Sequence, residues 1–224
     1  LEIQKRSLKY DPTKGLRPYP NFFGKDNYIR IKTDLARVGV SDVPYSVTLC
    51  KHQGQYFFMF PRHLPASTPT PLRICALDPG VRTFLAGYDP EGVAFEISPD
   101  QSILWKSKRQ IERLQKQHQR KRKAIQREIR NLYRKIKNRV SDLHYKAAKI
   151  LTQSYSHILL PNFKSGSLVH KEGRTIGPDT SYMMMTLSHY KFRQLLEQKA
   201  ELRGCKVIEC TEEFTSKTCG NCIR

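Results

Sequence analysis

RICALDPGVRTFLAGYDPEGVAF, residues 73–95, opens as an apolar run, stops on one acid at Asp78 and then turns twice. RICALD (73–78) reads as a short, fully buried strand. Its last residue admits two readings. Asp-Pro-Gly is ordinary turn chemistry, because Asp bonds its own backbone and Gly tolerates positive φ. An acid held at the rim of a sheet is equally a place to bind a metal. TFLAGYD (83–89) and GVAFEIS (92–98) continue as strands, so the three segments form a meander.

Downstream, Pro99 to Pro161 encloses a stretch with neither Pro nor Gly. Ile125, Ile129, Leu132, Ile136, Val140, Leu143 and Ala147 step by three and four, the period of one helical face. One long helix or a helical hairpin is expected there. SHILLPNF (156–163) follows as a strand, then a polar loop (164–179). Asp179-Thr180-Ser181 are expected to cap a helix running to Arg203, stopped by Gly204. CKVIEC (205–210) is a last strand. Three meander strands, helix, strand, helix, strand describe a mixed α/β sheet with the first strand central and the later two parallel to it. Asp78, Pro161, Asn162 and the acids Glu209, Glu212 and Glu213 then share one carboxyl edge, where sites of open α/β sheets gather.

Upstream, YSVTLC (45–50) and QYFFMF (55–60) flank KHQG as a hairpin. Pro61, Pro65, Pro69 and Pro71 form a linker, which places a boundary near residue 70 and divides the chain into a β-rich 1–70 and an α/β 71–224. Leu1 is not an initiator Met and the chain stops two residues after Cys222, so an internal piece of a longer protein is expected. No signal peptide is visible, and no stretch approaches 18 consecutive apolar residues, so no membrane span is expected.

The chain has 40 Lys+Arg against 20 Asp+Glu, a net +20. That excess points to a polyanion partner, most simply nucleic acid. It is concentrated: residues 101–150 hold 17 of the bases and 3 of the acids. Arg120, Lys121, Arg122, Lys123, Arg127, Arg134 and Lys137 are the candidate phosphate contacts, because close-set cations without counter-charges gain most from releasing counterions. A solvated helix face and a nuclear-import run are the other uses of such a stretch.

Two further constellations could do chemistry. Divalent metals need carboxylates converging from separate elements, and Asp78 with Glu209, Glu212 or Glu213 could supply them. Strand alternation puts Glu209 and Glu213 on one face and Glu212 on the other. Cys219-Gly-Asn-Cys222 has zinc-knuckle spacing but only two of four ligands; a lone C-x-x-C could also be redox-active. Cys50, Cys75, Cys205 and Cys210 sit in strand-like contexts as buried thiols, a pattern suited to a reducing compartment. The seven histidines show no ligand spacing and are expected in surface or packing positions.

ALDPGVRTF (76–84), the basic helical stretch, HILLPNF (157–163), LLEQKAELRG (195–204), KVIEC (206–210) and TSKTCGNC (215–222) together resemble the RuvC-like nuclease core of the TnpB family. These are transposon-encoded, RNA-guided DNA endonucleases related to the type V CRISPR nucleases. The likeness covers about residues 70–224, and 40–62 resemble the end of the family's β-rich, barrel-like wedge domain. It implies an RNase H-like (RuvC) fold with a basic helical segment over 100–155 and a zinc ribbon beginning at 215–224. Asp78 corresponds to the first catalytic aspartate. Cys219 and Cys222 correspond to the first zinc pair. The usual second glutamate falls at Pro161, a departure similar to the eukaryotic and viral Fanzor branch, in which a glutamate further along takes over. Glu212 is the choice for that role, with Glu213 and Glu209 behind it. The resemblance implies two Mg²⁺, one structural Zn²⁺, a guide (omega-type) RNA and target double-stranded DNA as cofactors and partners. It implies a nuclear protein if eukaryotic or viral, and a cytoplasmic or nucleoid one if prokaryotic. The piece alone is expected to be inactive, since a third aspartate and second zinc pair would lie outside it. A cleavage-deficient RNA-guided binder and a guide-independent RuvC-type nuclease for branched DNA are the rival expectations.

Overall fold

The computed structural model describes residues 1–11, 13–24, 27–31, 45–52, 54–61, 72–117, 122–163 and 176–211. The chain divides into two units, Leu1–Pro65 and Ala66–Arg224.

In the first unit the elements are β1 (Glu2–Ile3), β2 (Leu8–Asp11), β3 (Gly15–Pro18), a short helix α1 (Pro20–Phe23), β4 (Val47–His52) and β5 (Gln55–Met59). β4 lies between β1 and β5, and β2 and β3 form a separate ribbon. The expected hairpin is present, with Thr48 opposite Met59 and His52 opposite Gln55. Leu16 and Val47 are fully buried against Leu8, Tyr10, Ile31, Phe58 and Phe60.

The second unit is built on a five-stranded sheet. Its strands are β6 (Ile74–Pro79), β7 (Leu85–Asp89), β8 (Val93–Ile97), β9 (His157–Pro161) and β10 (Lys206–Cys210). Their order across the sheet is β10-β9-β6-β7-β8. β9 runs parallel to both β6 and β10, while β7 and β8 are antiparallel, as the sequence order required. β6 is not buried on both sides, however. Cys75, Leu77 and Pro79 are buried, whereas Ile74, Ala76 and Asp78 are exposed. The buried face packs under the helices; the other is open, with Ile74, Tyr88 and Ile208 largely exposed.

The basic stretch forms two helices, α2 (Gln101–Lys116) and α3 (Arg122–Ser154). Asp100 caps α2, its Oδ1 accepting the Ser102 N–H at 3.0 Å. The expected apolar stripe of α3 faces inward. Leu132, Ile136, Val140 and Ala147 are buried, with Ile125, Ile129 and Leu143 packed against them.

The helix expected over 181–203 is instead two, α4 (Pro178–Leu187) and α5 (His189–Glu201). Ser188 between them adopts a left-handed conformation, φ 49° and ψ 56°. That break leaves the Leu187 carbonyl without its helical partner, and His144 Nε2 donates to it at 2.8 Å. The start also differs: Gly177 is the N-cap and Pro178 the first helical residue, a position where a missing N–H costs nothing. Asp179 lies in the first turn and pairs with Lys108 of α2, whose ammonium also sits 5.2 Å from the Trp105 ring and 5.1 Å from Tyr182.

Met183 and Met184 fill the core, but Met185 is 58% exposed, since three consecutive helical residues cannot share one face. Cys75 and Cys205 are buried as expected, whereas Cys50 and Cys210 are half-buried. At the start of β6, Arg73 Nη2 lies 2.6 Å from the buried Asp89 and 3.1 Å from Glu91. Gly87 of β7 faces Phe95 of β8, and a Cβ at 87 would come within 2.1 Å of Cζ of the Phe95 ring. That ring stacks in turn on Tyr155. Among the described residues no helix is long and apolar enough to cross a membrane.

Candidate functional site

The three parallel strands end at one edge, at Asp78, Pro161 and Cys210. Cross-strand register matches Ala76 with Leu159, and Leu159 with Ile208. Two residues further, Asp78, Pro161 and Cys210 share the open side of the sheet, since side chains alternate with period two. Asp78 is exposed there. The turn beyond it is tightly held. Gly80 N–H donates to the Phe84 carbonyl at 3.2 Å, and a Cβ on Gly80 would lie 2.7 Å from the Thr83 oxygen. Gln101 Nε2, at the start of α2, donates to the carbonyls of Val81 and Arg82.

Glu209 is not brought to Asp78. Its partner in the register is Leu160, on the helix-covered face, and Arg193 of α5 donates to it at 2.5 Å. Arg193 also bonds Glu197 at 2.8 Å, and the two carboxylates raise its pKa further. β9 ends without a carboxylate, as read. Pro161 is buried, and the Asn162 N–H donates to the Cys210 carbonyl at 3.3 Å. Glu212, Glu213, Cys219 and Cys222 lie outside the described residues. Among the described residues no three His, Cys, Asp or Glu converge as a metal site.

Register also reveals an acid that sequence reading passed over. Asp78 faces Ala86 on β7, and Ala86 faces Glu96 on β8, so Glu96 stands on the same open face two strands away. Thr83 Oγ1 lies 3.5 Å from its Oε2. Alternation in 92–98 was legible, but its phase relative to Asp78 required the pairing.

Behind the edge lies an aromatic cluster. Phe84 is fully buried, stacked on His144 at 5.2 Å and His189 at 4.9 Å, with Phe192 edge-on at 5.0 Å. Burial pushes the pKa of both histidines below 6.5, holding them neutral. The folded state therefore binds fewer protons than the unfolded one between those depressed values and 6.5. Stability from this pair should be complete above pH 6.5 and fall as pH drops through that window. Urea midpoints at pH 7.5 and 5.5 should show the fall. A double variant, His144→Gln with His189→Asn, should flatten the profile.

The candidate nucleic-acid interface is α3. Lys123, Arg127, Arg134 and Lys137 follow one another at spacings of four, seven and three residues and so share one side of the helix. Lys123, Arg127 and Lys137 are exposed; Arg134 is half-buried and donates to Asn131 at 3.0 Å. The acid within this run, Glu128, accepts from Gln110 of α2 at 3.0 Å. Arg122 is the first residue of α3, and Arg120 and Lys121 lie outside the described residues.

Residues 49–170, more than half of the chain, match the OrfB_IS605 family, described as a probable transposase. The chain belongs to this family. Residues 189–223 of this OrfB_IS605 chain also match the Cas12f1-like TNB domain. A putative transposase of Paramecium bursaria Chlorella virus 1 is 30% identical over 175 residues, covering 75% of this chain and 40% of the relative. A TnpB-like protein of Acanthamoeba polyphaga mimivirus is 26% identical over 179 residues, covering 75% and 34%. The OrfB_IS605 chain thus spans two fifths or less of these viral relatives, and it is a TnpB-family protein. Among solved structures, a CRISPR-Cas12f ternary complex aligns with TM-score 0.49 at 15% identity, over 97% of this chain and 43% of that one. A Cas12f1–sgRNA–target DNA complex aligns with TM-score 0.37 at 16% identity, over 80% and 47%.

Proposed function

We propose that this chain is the nuclease core of an RNA-guided, Mg²⁺-dependent DNA endonuclease. The observation that carries the reading is Asp78, an exposed carboxylate ending the central strand on the open face, in a TnpB-family chain. In this reading 71–224 is an RNase H-like (RuvC) domain, 1–70 the end of a wedge domain, and 215–224 the start of a zinc ribbon. Asp78 offers the hard oxygen donor that Mg²⁺ prefers, and its side is not taken by the core. Asp78 with Glu212, or Glu213 in its place, would hold the metal; Cys219 and Cys222 would begin the zinc site. When bound, magnesium supplies charge neutralisation at the phosphate and activation of water. The relocated glutamate is the Fanzor-like feature of this reading, and Glu209, engaged by Arg193 on the other face, drops behind the other two.

The polypeptide's own part is to bind and orient. The cations of α3 would take the RNA or heteroduplex backbone, while base pairing chooses the target. Replacing Lys123 and Arg127 together by Gln should weaken RNA binding at every sequence alike. It should also flatten the log K against log salt slope by about 1.5, the share of two phosphate contacts. Filter binding across a salt series reads this directly.

The decisive experiment is incubation of the full-length protein and its co-purified RNA with target DNA and Mg²⁺. Cleavage that needs both RNA and metal is expected. The missing carboxylate at Pro161–Asn162 favours a second reading, an RNA-guided binder that no longer cuts. Guide-dependent binding without any cleavage would establish that one. Cutting of branched DNA without RNA would overturn both.

A further inference from the structure

Resting on the nuclease reading, we infer that His189 is a positioning residue for the Asp78 carboxylate. The break at Ser188 turns His189 inward, so that it is 4% exposed at the first position of α5. Its ring touches both segments that leave the catalytic edge. On one side it stacks on Phe84, whose carbonyl closes the turn after Asp78 by accepting from Gly80. On the other it meets Phe163, just beyond β9, with ring centroids 4.8 Å apart. A small cavity of about 30 Å³ lies where these segments meet, lined by Pro79, Pro161, Asn162, Phe163, His189 and Arg193.

Packing alone does not account for a histidine here. Both ring nitrogens are buried without a hydrogen-bond partner, an arrangement that costs free energy and that a phenyl ring would avoid. The backbone of Phe84 and Gly80 lies close enough to oppose the effect of burial on the ring, without forming a hydrogen bond to it. A polar ring under the Asp78-Pro79-Gly80 turn gives that turn a donor to settle on, and so sets the direction in which β6 delivers its acid. His189 touches no reacting group in this arrangement; it acts through the backbone around Gly80.

The test compares wild type, His189→Phe and His189→Asn in the full-length protein with its RNA. The readouts are the Mg²⁺ concentration for half-maximal cleavage, thermal midpoint, RNA affinity and hydrogen exchange of the peptide carrying Gly80. His189→Phe keeps the ring, removes the two unpaired nitrogens, and should keep RNA binding with a thermal midpoint equal to or above wild type. It should raise the Mg²⁺ requirement by roughly tenfold or more, the usual loss when a group supporting a metal ligand is removed. His189→Asn, which restores a donor, should recover part of it. A Phe variant with the wild-type Mg²⁺ requirement overturns the assignment and leaves the nuclease reading intact. If wild type does not cleave, the nuclease reading fails and exchange decides the positioning role. Faster exchange at Gly80 in His189→Phe, at a thermal midpoint no lower than wild type, supports it; unchanged exchange overturns it.

Discussion

If the proposed function holds, Asp78→Ala should abolish cleavage, by about a thousandfold or more, and leave RNA binding within about twofold of wild type. The first figure is what losing ~4 kcal/mol of metal-borne stabilisation at the reacting phosphate gives, at 1.36 kcal/mol per tenfold. The second follows from position. Asp78 is exposed on the open face, away from the core formed by Cys75, Leu77 and the helices, so truncation there removes no packing. Asp78→Asn, nearly the same shape, should fail equally, because an amide is a poor Mg²⁺ ligand. Glu212→Ala should fail likewise, while Glu209→Gln should cut normally and weaken its contact with Arg193. Gel assays of full-length ribonucleoprotein, with RNA retention measured alongside, separate these outcomes. An Asp78→Ala protein that cuts at wild-type rate would end the nuclease assignment of this edge.

The largest effect on stability is expected at Phe84. Phe84→Ala should cost about 3–5 kcal/mol, the range for emptying a fully buried aromatic position. The upper part of that range applies because the ring is held between two imidazoles and edge-on to Phe192. Its neighbours come from α3 and α5, so the hole cannot be filled by one side chain relaxing. For a unit of this size the thermal midpoint should fall by roughly 10 °C. Calorimetry checks it. A loss under about 1 kcal/mol would mean the cluster repacks and does not organise the edge.

Much of this arrangement was open to reading from residues alone. The apolar run ending at Asp78, the 3-4 stepping from Ile125 to Ala147 and the strand order are local signals, and local signals carried the topology. Other features depended on partners distant in sequence. Glu209 and Asp78 fall on opposite faces only because β6, β9 and β10 pair in one particular register. Glu96 reached the open face through the register of β6, β7 and β8. The helix break at Ser188 has no Gly or Pro to announce it; a contact from His144, 43 residues away, satisfies the carbonyl exposed there. His144 and His189 look unremarkable as letters, and only the ring of Phe84 between them gives them a shared task.

Gly87 and Phe95 share one volume: the benzene ring occupies the space that any side chain at 87 would need. Position 87 is therefore tied to what stands at 95. In a lineage of such chains, a side chain at 87 becomes admissible only once the ring at 95 has swung aside or been lost. Losing that ring first uncovers Tyr155, against which it stacks. The order of substitution is thus constrained: a change at 95 must precede or accompany any side chain at 87.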